Sequence, residues 1–147
     1  MEILNRTEHK DDDHGRQYGA NHTITTTYKH PKNILFKYVH QDGRDYEDSY
    51  RYETLTIGKT EIRYSYDYGN YFVSEYVKIS QDGAEVSYAK QEQGAVDPLK
   101  TDSRGKENGR KVLMQLSSEL EMSIDDFLKM CLSEFKINKE VMNLFRT

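Results

Sequence analysis

The chain has 147 residues, 35% hydrophobic and 31% charged, with a formal net charge of −4. That length suits one domain with its own core, and twelve Tyr and five Phe supply apolar area of the kind a disordered chain lacks. A sequence pI near 5.7 weighs against a dedicated nucleic-acid binder, the single cysteine excludes an internal disulfide, and no apolar run approaches the roughly 20 residues of a membrane helix.

The N-terminus turns polar after four residues, unlike a signal peptide, so a cytoplasmic protein without membrane contact is expected. Residues 5–21 are polar and glycine-containing and read as an irregular arm or loop. Within them, His9, Asp11, Asp12, Asp13 and His14 offer two imidazoles and three carboxylates, but a polar arm lacks the rigid support of a metal centre. No metal or other cofactor is expected.

Strand signals run from His22 to about Gln91. HTITTTYK and NILFKYVH are β-branched and aromatic runs separated by His30-Pro31-Lys32-Asn33. Further runs at 50–57, 60–68, 71–79 and 84–90 are separated by Gly58-Lys59, Gly69-Asn70 and Asp82-Gly83, pairs suited to two-residue hairpin turns. Those turns would set Leu55 opposite Ile62, Tyr66 opposite Val73, Ile62 opposite Val77, Ile79 opposite Val86 and Val77 opposite Tyr88. Side chains alternate faces along a strand, and a one-residue slip reverses the sorting. One face then collects Leu55, Ile57, Ile62, Tyr64, Val77 and Ile79. The other collects Tyr50, Tyr52, Thr54, Arg63, Ser65, Phe72, Tyr76 and Lys78, with Arg63 opposite Tyr76 at cation–π distance.

Residues 92–107 break the pattern with Gly, Pro and charge and read as a linker. A helix is expected from about Asn108 to Glu121, with Val112, Leu113, Leu116 and Leu120 on one stripe. A second starts at Ser123, an N-cap with Asp126 three residues on and a Met122–Phe127 staple. Its stripe includes Ile124, Phe127, Leu128, Leu132, Phe135 and Cys131, which reads as a small core residue. A third, capped by Asn138, carries Val141, Met142, Leu144 and Phe145. The expected architecture is therefore α+β: an antiparallel meander of about six strands followed by two to three short helices, in one domain.

Two local resemblances bear on function. His22-Thr23-Ile24-Thr25 partly resembles the His-x-Thr element of two-histidine phosphoesterases; those enzymes need two such elements, and this chain has one. The segment LMQLSSELEMSIDDFLKMCLSEF resembles the helical pair of ribbon-helix-helix and helix-turn-helix proteins over about 25 residues. The DNA-reading strand's place is taken by the linker, and Asp125 and Asp126 would repel phosphates, so DNA binding is not carried over. The phosphate-cradling glycine motifs are absent. Lys100, Arg104, Lys106 and Arg110 cluster where Gly105 and Gly109 flank the expected helix start and are the candidate anion-binding residues.

The Tyr/Arg face is the strongest functional feature. Tyr and Arg dominate binding hot spots, and Tyr50, Tyr52, Arg63, Phe72 and Tyr76 are the candidate binding residues. The expected function is a non-enzymatic protein-binding module, an inhibitor or adaptor of the phage or mobile-element type, whose partner is another protein. Single-stranded nucleic acid or a nucleotide is the alternative ligand, since aromatic and Arg side chains also stack with bases. A small phosphoesterase-type enzyme using the N-terminal histidines is the second alternative. The apolar C-terminal helices offer a surface for a homodimer.

Overall fold

A computed structural model describes residues 2–11, 18–45, 48–69, 73–92 and 103–133. Seven strands pair in chain order: β1 (Glu2–Asp11), β2 (Tyr18–Lys29), β3 (Leu35–Asp45), β4 (Asp48–Ile57), β5 (Thr60–Tyr68), β6 (Val73–Gln81) and β7 (Ala84–Glu92). All neighbours are antiparallel. Two helices follow, α1 (Ser103–Glu119) and α2 (Ile124–Ser133). The α+β meander is thus observed, with one strand more than expected. That strand is β1, which occupies much of what reads in sequence as a polar arm; its alternation of polar residues hides a strand that buries nothing.

The turns set the register. At Gly58-Lys59, Ile57 pairs with Thr60 and Leu55 with Ile62 as expected, and Gly58 takes φ +58°, the positive value a two-residue hairpin needs. At Asp82-Gly83 both residues have positive φ, 52° and 80°, the sign pattern of a type I′ turn. Between β2 and β3, Asn33 at φ 63° closes a turn with Pro31 at its second position, where the Asn33 amide donates to the His30 carbonyl at 2.8 Å.

Two registers depart from expectation. Tyr68 pairs with Val73, so residues 69–72 separate β5 from β6 instead of a two-residue turn. Tyr66 therefore faces Glu75 rather than Val73, Ile62 faces Ile79 rather than Val77, and Arg63 faces Lys78 rather than Tyr76. This slip is two residues, which leaves every side chain on its expected face. Between β6 and β7 a bulge follows the turn, with Ser80 opposite Glu85 but Ile79 opposite Ser87. Val86 is the extra residue. Beyond it the parity of β7 reverses, so Val77 pairs with Ala89 and Tyr88 with Lys78.

The helices cover the apolar end of one sheet face. Phe36, Tyr38, Leu55, Ile57, Ile62, Tyr64, Val77 and Ile79 meet Val112, Leu113, Leu116, Leu120, Phe127, Leu128 and Cys131 in one buried cluster. α1 starts at Ser103, five residues before the expected start near Asn108, and so absorbs part of the expected linker together with Gly105 and Gly109. It ends in a Schellman motif: the Met122 amide donates to the Ser117 carbonyl at 2.9 Å and the Glu121 amide to the Ser118 carbonyl at 3.0 Å. Glu121 itself is left-handed at φ 56°, and its carboxylate meets Lys32 Nζ at 2.6 Å. Ser123 then caps α2, its Oγ accepting from the Asp126 amide at 3.1 Å. Phe135 and the expected third helix lie outside the described residues. No described helix is long and apolar enough to cross a membrane.

Phe127 is fully buried at the junction of both helices with the sheet. Phe127→Ala should lower unfolding free energy by roughly 3–5 kcal/mol, the usual cost of truncating a core phenylalanine. Urea denaturation measures it, and a loss below about 1 kcal/mol would place Phe127 outside the core.

Candidate functional site: an aromatic sheet face and a histidine–carboxylate relay

The sheet face opposite the helices carries Tyr50, Tyr52 and Arg63 in contact. The Tyr50 and Tyr52 rings stack with centroids 4.9 Å apart and planes at 22°. The Arg63 guanidinium lies over the Tyr52 ring, 5.0 Å from its centroid. Arg63 thus finds its cation–π partner on β4 instead of β6; Tyr76 pairs across the strands with Ser65 and is half-buried. Phe72 lies outside the described residues.

Each aromatic ring is pinned from several sides. Tyr52 donates its hydroxyl to Asp67 Oδ1 at 3.0 Å. Burial, then the hydrogen bond to Asp67 and the charge of that carboxylate, push the Tyr52 hydroxyl up to about 12. Tyr50 donates to Asn21 Oδ1 over the intervening strand β3. The Tyr50 ring also lies on Gly43, its cross-strand partner; a Cβ there would sit 2.3 Å from the ring, so the absent side chain makes room for the tyrosine. Arg63 Nε is enclosed and has no hydrogen-bond partner among the described residues.

The start of α1 differs from the one expected beside the candidate anion-binding residues. Arg104 and Lys106 lie in the first turn of α1, while Arg110 is exposed farther along it. The helix therefore does not begin beside Arg110, and Lys100 is outside the described residues.

On the helix-bearing face, beyond the apolar rows, the registers build a second site that sequence reading missed. His22 lies opposite Asp42, and His40 opposite Glu53. His40 contacts Glu53 Oε1 through Nδ1 at 2.6 Å and Asp42 Oδ2 through Nε2 at 2.5 Å. His22 Nε2 meets Glu8 Oε1 at 2.7 Å, and its Nδ1 lies 3.6 Å from Asp42 Oδ2. The two rings stand edge to face with centroids 6.3 Å apart. Tyr38 donates to Glu53 Oε2, Arg51 Nε is 3.8 Å from Glu53, and the Arg51 guanidinium lies over Tyr64, which donates to Glu75. A chain of polar contacts thus runs from exposed β1 into the core.

Glu53 is the buried end of that chain, with no exposed side-chain surface. Burial pushes its carboxyl above the ordinary value of 4.5, opposed by the hydrogen bonds from Tyr38 and His40 and by the charges of His40 and Arg51. Burial, then the Glu53 carboxylate, pushes the Tyr38 hydroxyl up in turn. At the exposed end, the hydrogen bond from His22 holds the Glu8 carboxyl below its ordinary range. Among the described residues no group of three or more His, Cys, Asp or Glu side chains has metal-binding geometry. Cross-strand pairing is the signal that would have revealed the relay, but it needs the register of the β2–β3 turn.

Two outcomes test this geometry. A proton bound more tightly by folded than by unfolded Glu53 means stability falls as pH rises above 4.5. Urea unfolding of wild type and Glu53→Gln from pH 4.5 towards neutrality should show wild type losing stability relative to the variant; a rising difference would reverse the assignment. Gly43→Ala should displace the Tyr50 ring at a cost of only about 1 kcal/mol, the low end of overpacking, because the far end of the ring can swing away. Near-ultraviolet circular dichroism should record loss of the Tyr50–Tyr52 stack. Comparison with protein-family models, curated proteins and solved structures finds no match for this chain, so its functional reading rests on the residues and geometry above.

Proposed function

We propose that this chain is a non-enzymatic protein-binding module, an inhibitor or adaptor, whose contact surface is the face carrying Tyr50, Tyr52, Arg63 and Tyr76. The observation that carries the reading is the three-layer contact of Tyr50, Tyr52 and Arg63, fixed by Asn21, Asp67 and Gly43. Side chains ordered before a partner arrives lose less rotamer freedom on binding, and each such group otherwise costs about 0.5–1.5 kcal/mol. Among the described residues Arg63 has no carboxylate partner, and a guanidinium suits an acidic or carbonyl-bearing group on a partner.

Charge favours a protein over nucleic acid as the partner. Asp67 sits in the middle of the aromatic cluster, and the chain carries a net −4, both unfavourable to a phosphate backbone. A phosphoesterase reading gains little from the histidines. The ring nitrogens of His22 and His40 face Glu8, Asp42 and Glu53, whereas a catalytic pair must present a nitrogen to substrate.

Affinity capture with the wild-type chain from its native cells, followed by titration of the captured partner, tests the proposal. Arg63→Ala and Tyr76→Ala should each weaken binding at least about tenfold, as expected for hot-spot truncation, while changing stability by less than about 1 kcal/mol. Unchanged affinity in both variants would remove this face from the interface. Tight binding of a single-stranded oligonucleotide with a steep salt dependence would transfer the same face to nucleic acid.

A further inference from the structure

The sheet has two edges, and they differ. β7 lies against α1. β1 lies against nothing on its outer side among the described residues: Glu2 to Lys10 are all exposed, with Ile3 and Leu4 at 60% and 48%. An edge strand presents a row of unpaired amides and carbonyls, and natural edges are blunted by shortness, proline, bulges or charged side chains; β1 carries charges of both signs, which repel or attract a second copy according to register. β1 is ten residues long and contains no proline. Its one irregularity lies between Ile3 and Asn5, which leaves Asn5–Asp11 as regular strand.

We infer that β1 is a self-recognition edge through which a second copy of this chain pairs antiparallel, with Thr7 on the two-fold axis and Arg6 of each copy opposite Glu8 of the other. Two copies of one edge related by a two-fold axis run antiparallel. Outward-facing backbone groups alternate along a strand, so only residues of like parity can lie opposite one another. Among the registers that overlap most of β1, centring on Arg6 sets Arg6 against Arg6, and centring on Glu8 sets Glu8 against Glu8. Centring on Thr7 instead creates two opposite-charge pairs, joins Thr7 to Thr7, and places Asn5 beside His9. Directly opposed charges of opposite sign favour pairing and like charges oppose it, so charge selects the Thr7-centred register.

Within each copy Arg6 already approaches Glu8 at 3.4 Å and Lys10 approaches Glu8 at 3.6 Å. The partner's pair would therefore complete an alternating cluster. The helices offer less for self-association: Val112, Leu113, Leu116, Leu120, Phe127 and Leu128 are spent on the chain's own core. The inference is independent of the Tyr/Arg reading, because β1 carries none of that face's candidate residues.

Sedimentation equilibrium of the full chain tests it. Wild type should dimerise reversibly, and Arg6→Glu and Glu8→Arg should each weaken the dimer at least tenfold, since each sets like charges opposite in its own homodimer. An equimolar mixture of the two variants should regain dimer, because one copy then supplies two acidic and the other two basic residues. Thr7→Asp sets carboxylate against carboxylate on the axis, leaves the ion pairs intact, and should give the same loss should Glu8→Arg fail to fold. Wild type that stays monomeric into the millimolar range overturns the inference, as does a dimer indifferent to all three substitutions or a mixture that fails to restore it.

Discussion

Strand register is the constraint on which the rest of this molecule depends. Among the described residues the seven strands form a single sheet with no second sheet to correct it, so each connection decides which side chains form a continuous row across the strands. The tight turn at Gly58-Lys59 sets the Leu55–Ile62 step within the apolar rows Phe36–Ile57 and Tyr38–Leu55–Ile62–Ile79. The next row, His40–Glu53–Tyr64–Val77, passes from polar to apolar along its length, and the one after it, His22–Asp42–Arg51–Tyr66–Glu75, is mostly charged. Core and relay are adjacent bands of one pattern, and the helix residues of the buried cluster pack on its apolar band.

That gradation explains the polar groups at the margin of the core. Glu53 is completely buried, yet both its oxygens have partners, from Tyr38 on one side and His40 on the other. Glu75, nearly as buried, accepts from Tyr64. A buried carboxylate without such partners would be expensive, whereas one held by several donors costs much less. The tyrosines serve twice here, burying their rings in the core while their hydroxyls solvate the carboxylates.

Much of this was legible in the sequence, and the failures have physical reasons. The two faces of β4 to β6 were sorted correctly because period-two alternation survives a slip of two residues; the same insensitivity hid the slip between Tyr68 and Val73. The bulge at Val86 was invisible because its sequence keeps a strand-like composition, and it reversed the parity of Tyr88. β1 was missed because EILNRTEHKD contains little to bury, and recognising an edge strand requires knowing its neighbour. The Ser123 cap and the buried role of Cys131 were readable because helical signals are local. The relay was not, because its members come from residues 8, 22, 38, 40, 42 and 53 and meet only through pairing. The Tyr50–Tyr52 stack was half-readable: composition placed both residues on one face, while the seat at Gly43 needed the β3–β4 register.

The uninterrupted strand order has a consequence for how the chain assembles. Each strand hydrogen-bonds only to its sequence neighbours, so every pairing closes a short loop and the sheet can grow outward one hairpin at a time. Folds dominated by such local pairings reach the native state faster than sheets whose strands must cross over. The hairpin at Gly58-Lys59, lying under the helices, is the natural place for growth to begin. Among the described residues β1 has one neighbour and no buried apolar side chain, so it should be added late and open first. The portion of the sheet with the least protection from solvent exchange is then also the portion whose histidine partner, Glu8, anchors the outer end of the relay, so fraying of a single strand would loosen a contact chain that reaches into the core.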